Sequence, residues 1–90
     1  MTKIAILASG ILLATATLAN AGSLGRPCTS APQSQWLSLD AIQAKVETLG
    51  YKVQKAKLKA ACGELYSVDK NGSRVELFVD PTSGTIVGQQ

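Results

Sequence analysis

The chain has 90 residues, a formal charge of +3 and no histidine. Without an imidazole there is no general base of the usual kind and no histidine-built zinc site, so catalysis has little to work with. Nine basic residues against six acidic ones, with only four aromatics, lack the clustered charge and stacking platforms of a nucleic-acid binder.

Residues 1 to 21 read as an export leader: Lys3 is the positive start, Ile4 to Leu18 the apolar stretch, and Ala19-Asn20-Ala21 the small-x-small cleavage site. The apolar stretch is shorter than the roughly 20 residues of a membrane-spanning helix, so no stable insertion is expected after cleavage. The mature chain then starts at Gly22 and is long enough for one small domain. Gly22 to Gln35 is rich in Gly, Ser, Pro and Gln without apolar periodicity, which describes an extended lead-in to a folded domain over 36 to 88. In an exported chain the two cysteines, Cys28 and Cys62, suggest a disulfide, with an intermolecular bridge or free thiols as the alternatives. Such a bridge would stabilise a core of this size by about 3 to 4 kcal/mol in the chain-entropy account.

A helix is predicted from Ser38. Ser38 is the N-cap, Asp40 sits in the positive first turn, and Leu37 is placed to staple onto Ile42. Leu39, Ile42, Val46 and Leu49 form the apolar stripe, and Gly50 closes the helix in the left-handed C′ position, with Tyr51 packing back on Val46. From Tyr51 to Cys62 the pattern turns extended, but its phase slips. Tyr51 and Val53 share one parity and Ala56, Leu58 and Ala60 the other, so a bulge near Gln54-Lys55 is predicted.

Two alternating strands then flank Asn71-Gly72, a pair suited to a two-residue type I′ hairpin. That turn pairs Val68 with Val75, Tyr66 with Leu77 and Leu65 with Phe78. It turns Tyr66, Val68, Val75, Leu77 and Val79 toward the helix. Asp80-Pro81-Thr82-Ser83-Gly84 makes a second turn before a short strand, Thr85 to Val87. The expected fold class is α+β: one amphipathic helix packed on one face of an antiparallel three- to four-stranded meander sheet.

The series Leu39-Asp40-Ala41, Leu49-Gly50-Tyr51-x-Val53, Tyr66-x-Val68 and Gly72-x-x-Val75-Glu76-Leu77-x-Val79-Asp80-Pro81-x-x-Gly84-x-Ile86-Val87 resembles a PepSY domain of the short, single-domain exported kind. The closing Asp-Pro-x-x-Gly element is the specific part, and the likeness covers Trp36 to Val87. PepSY domains occur in propeptides of thermolysin-like peptidases and in small exported proteins. The resemblance therefore implies a periplasmic or secreted module that inhibits or modulates a peptidase or another envelope protein in trans. It implies no cofactor, and the family pattern does not require the cysteine pair.

Several candidate sites stand beside that resemblance. Lys52, Lys55, Lys57 and Lys59 lie on the outer first strand, where lysines discourage pairing with other chains or, alternatively, engage an anionic surface. Phe78 and Leu65 are expected on the face away from the helix, either covered by the tethered lead-in together with Trp36 or left for a partner. Thr85, Ile86 and Val87 form the opposite, uncharged edge, open to strand addition by a protein partner. Glu64, Glu76 and Asp80 could approach one another on adjacent strands, but an acid pair without a base or a cleft suggests surface charge rather than catalysis. Asp69-Lys70-Asn71-Gly72 resembles the opening of a calcium loop whose remaining ligand positions are missing, so no metal site is expected.

Overall fold

Ser38 starts the helix as its spacing predicts. In the computed structural model, which describes residues 24 to 90, its Oγ accepts from Ala41 N–H at 3.1 Å and α1 follows over Leu39–Glu47. The expected leader, residues 1 to 21, lies outside the described residues. A 3-10 turn at Gln33–Gln35 precedes the helix. After it come β1 (Lys52–Lys59), β2 (Cys62–Val68), β3 (Arg74–Val79) and β4 (Ile86–Gln89), an antiparallel meander of order β1-β2-β3-β4.

Ile42 and Val46 are fully enclosed, as the stripe requires, but Leu49 is not. Beyond Glu47 the chain tightens: Leu49 N–H donates to Val46 O and Gly50 N–H to Glu47 O, a three-residue spacing that rotates Leu49 off the apolar line. It is left 54% exposed. Gly50 then reverses the chain at φ +102°, and Tyr51 packs on the core as expected.

The predicted bulge is present between Val53 and Lys55. It brings Tyr51, Val53 and Ala56 to the helix side together. The strand does not run on to Cys62, however. It ends at Lys59, and Ala60-Ala61, both at positive φ (51° and 62°), form a tight two-residue turn into β2. Alanine is a costly choice there, because its Cβ crowds the left-handed conformation by about 1 kcal/mol or more per residue.

The second hairpin departs from expectation by one residue. Leu65 pairs with Leu77, Ser67 with Val75 and Val68 with Arg74, so the loop holds Lys70, Asn71 and Gly72 rather than Asn71-Gly72 alone. Asp69 is the reason. Its Oδ1 accepts from both Asn71 N–H and Ser73 N–H at 2.9 Å, and Gly72 N–H donates to Asp69 O, a wider turn that ends on a left-handed glycine. A one-residue slip turns a whole strand over. Leu65 and Ser67 therefore face the helix, while Tyr66 and Val68, expected there, share the far side with Phe78; Val75, Leu77 and Val79 face the helix as predicted.

At the last turn Asp80 O accepts from Gly84 N–H and its Oδ1 from Thr82 N–H, both at 2.8 Å. Leu37 N–H donates to Pro81 O and ties the start of the helix to this corner. The final strand runs further than Thr85 to Val87, and Gln90 continues its ladder by exchanging both backbone bonds with Glu76.

Two apolar clusters result. Ile42, Val46, Leu65, Leu77 and Val79 fill the helix side, each fully buried side chain stabilising by about 2 kcal/mol. On the other side Phe78, 1% exposed, packs with Cys28, Cys62, Leu24 and Val87.

Candidate functional site

The lead-in reaches the far side of the sheet through Cys28. A disulfide joins it to Cys62 with 2.06 Å between sulfurs, and Cys28 N–H donates to Ala61 O at 3.3 Å. Residues Leu24 to Cys28 so form a strap across Phe78. Leu24 seats over Gly88, where a Cβ would lie 2.7 Å from Leu24 Cδ1, so a side chain at position 88 would make Leu24 shift. Trp36 does not join this cover; its indole N–H donates to Ala31 O at 3.0 Å.

Burial removes two of the expected contact residues from the surface. Leu65, at 0% exposure, faces the helix because of the register, and Phe78 is roofed by the strap. Thr85, Ile86 and Val87 stand differently. Thr85 is exposed, Ile86 packs into the helix-side core and Val87 against Phe78, so this segment commits its apolar side chains inward and offers backbone. Gln89 lies opposite Leu77, next to the hydrogen-bonded pair Glu76 and Gln90. By the alternation of an antiparallel ladder its N–H and C=O point away from β3. A second bulge, between Phe78 and Val79, confines the regular ladder to the end of β4.

The opposite edge is finished with charge. Lys52, Lys55, Lys57 and Lys59 pair with Val68, Tyr66, Glu64 and Cys62, and the bulge keeps all four on the far side. Lys55 and Lys57 bracket the Tyr66 ring at 5.9 and 5.8 Å. Lys57 Nζ also stands 3.9 Å from Glu64 Oε1. Lys55 and Lys57 thus have partners within their own sheet.

Two carboxylates complete the far side. Glu64 pairs with Phe78 and Glu76 with Tyr66, which makes the acids diagonal neighbours; Asp80 is apart from them, occupied in its turn. Glu64 is 3% exposed, and its Oε1, like Glu76 Oε2, accepts no hydrogen bond. Burial, and then the charge of Glu64, push the Glu76 carboxyl above its ordinary range, while a hydrogen bond from Tyr66 and the ammonium groups of Lys57 and Lys59 pull it back. Sequence reading brought these acids near each other but missed the depth of Glu64, which sits between Lys57 and Phe78 across the adjoining strands. Among the described residues no group of three or more His, Cys, Asp or Glu converges on a point that could hold a metal ion.

The helix thus lies on a four-stranded meander with one lysine-bearing edge and one uncharged edge. A family model described as peptidase propeptide and YPEB domain matches residues 3 to 90, and the chain belongs to this PepSY family. No curated protein and no solved structure matches it.

Proposed function

We propose that the mature chain is an exported, non-enzymatic binding module, periplasmic or secreted, that modulates or inhibits a peptidase or another envelope protein through the edge of β4. The family it belongs to supports a propeptide-like or inhibitor-like role. No helix among the described residues is long and apolar enough to cross a membrane. The contrast between the two sheet edges carries the choice of surface. β1 bears lysines at Lys52, Lys55, Lys57 and Lys59, a device that discourages strand addition, whereas Ile86 to Gln89 holds no charge and, among the described residues, has no strand beyond it.

Main-chain pairing tolerates varied sequences in the partner, which suits a modulator of enzymes that cut many substrates. The alternative, a structural or charge-based protein whose lysine strand binds anionic surfaces, is disfavoured because Lys55 and Lys57 are engaged by Tyr66 and Glu64.

A photoreactive residue at Gln89, an exposed position at the end of β4, introduced in the native envelope, tests the proposal. Recovery of one specific protein, competed by unlabelled module and insensitive to salt, is the expected result. Recovery of nothing specific, or binding abolished by salt alone, would remove it.

A further inference from the structure

The loop between β2 and β3 is held by hydrogen bonds that all involve Asp69: its backbone O accepts from Gly72 N–H at 3.0 Å, and its Oδ1 from Asn71 N–H and Ser73 N–H. The Asn71 side-chain amide takes no part in this. It is exposed, and among the described residues it holds no hydrogen bond. Gly72 follows it, also exposed and at φ +85°, and the place where a Cβ would stand has nothing within 4 Å. Neither a side chain nor a neighbouring element therefore screens the Gly72 nitrogen from the amide carbon of the residue before it. Apart from Asn20 in the expected leader, Asn71 is the chain's only asparagine.

We infer that Asn71 is a modification site, at which the chain converts itself to aspartate or isoaspartate and so loosens the turn that sets its own register. The Gly72 nitrogen, after giving its proton to base in the solvent, attacks Asn71 Cγ; the new N–C bond closes a succinimide ring, and the side-chain nitrogen leaves as ammonia. Water then adds to one of the two ring carbonyls and breaks that carbon's bond to nitrogen. Opening at the Asn71 main-chain carbonyl leaves isoaspartate, whose chain runs on through the former side chain, and opening at Cγ leaves ordinary aspartate. The net change consumes a water and releases an ammonia, with no redox partner. The Gly72 N–H bond to Asp69 O is lost already in the ring, where that nitrogen carries no proton. Either product sets a second negative charge beside Asp69, and isoaspartate also adds a backbone atom to the loop whose span pairs Leu65 with Leu77. The same loop governs the rate. While Asp69 O holds Gly72 N–H the nitrogen cannot turn onto Cγ, so attack waits for a local opening of the hairpin tip rather than for global unfolding. The site is separate from the β4 edge and does not depend on its use.

Incubation of the folded, disulfide-bonded exported protein for weeks at mildly alkaline pH, followed by intact mass and peptide mapping, tests the inference. The expected result is the mass gain of an amide NH2 replaced by OH, mapped to position 71, faster as the pH rises, and partly in a form that an aspartate-specific endopeptidase leaves uncut. Asn71→Gln should abolish the gain, and Asp69→Ala, which takes two bonds from the loop, should speed it several-fold. The converted fraction, separated from the parent by its charge, should melt at a lower temperature. The denatured chain under the same conditions supplies the rate without any fold. The inference is overturned if the denatured chain converts and the folded protein does not, if the gain maps to another residue, or if the converted protein melts with the parent.

Discussion

Asp69 and Ser73 hold the mouth of the β2–β3 hairpin between them: Asp69 N–H donates to Ser73 O, and Ser73 N–H to Asp69 Oδ1, each at 2.9 Å. The same carboxylate oxygen also accepts from Asn71 N–H, so one side chain sets a loop one residue wider than Asn71-Gly72 alone would form. Replacing Asp69 with Ala should cost about 1 to 2 kcal/mol, since two backbone donors lose their acceptor at once. Asp69→Asn, which keeps an oxygen in place, should retain most of that stability. Denaturant melts of the two variants compare directly, and equal losses would show that the carboxylate oxygen does not organise the turn.

The Ala60-Ala61 turn should be improvable. Both residues hold positive φ, where asparagine and glycine fit with less strain. The double replacement Ala60→Asn with Ala61→Gly is expected to raise stability by about 1 to 2 kcal/mol. A midpoint in urea that failed to rise would argue against strain at this turn.

Leu24 and Gly88 should couple. A methyl group at position 88 would stand 2.7 Å from Leu24 Cδ1 and make that side chain shift over Phe78, so Gly88→Ala is expected to cost up to about 1 kcal/mol. In a Leu24→Ala background the same change should cost clearly less, a coupling on the order of 0.5 kcal/mol or above. Additive losses in that double-mutant cycle would mean that the two residues do not meet.

Glu76 should lower stability at neutral pH. Its folded-state carboxyl is raised, by burial first and then by Glu64, so the folded state holds its proton more tightly than the unfolded chain does. The favourable contribution is fully present below 4.5, the ordinary value of the unfolded chain, and is lost as pH rises through the folded-state value. Glu76→Gln, which still offers Tyr66 an acceptor, should therefore melt higher than the parent at pH 7. That advantage should shrink toward zero as the pH drops below the unfolded value, and an advantage independent of pH would exclude the titration of Glu76 as its source.

Much of the architecture is written locally. Ser38, the Ile42 and Val46 spacing, and the parity slip between Val53 and Ala56 each act within a turn or two of chain, so the capped helix and the bulged first strand were legible without coordinates. The contrast between a lysine-bearing edge and an uncharged one was legible for the same reason. Leu49 was misjudged because a late three-residue spacing in the backbone, not the periodicity of side chains, sets its direction.

The linear order of residues determined by itself a helix followed by a meander, a cysteine pair available for bridging, and a chemistry without histidine. Only the folded whole decided which side of β2 meets the helix and what lies beneath the strap. Both faces of that strand carry large apolar groups, Leu65 on one and Tyr66 and Val68 on the other, so alternation does not choose between them. The choice was made by Asp69 at the turn together with the burial of Leu65 against Ile42 and Val46, contacts that exist only once distant segments have come together. For Phe78 the sequence left two outcomes open, cover by the tethered lead-in or exposure to a partner, and the packing of Leu24 and Cys28 on its ring decided for cover.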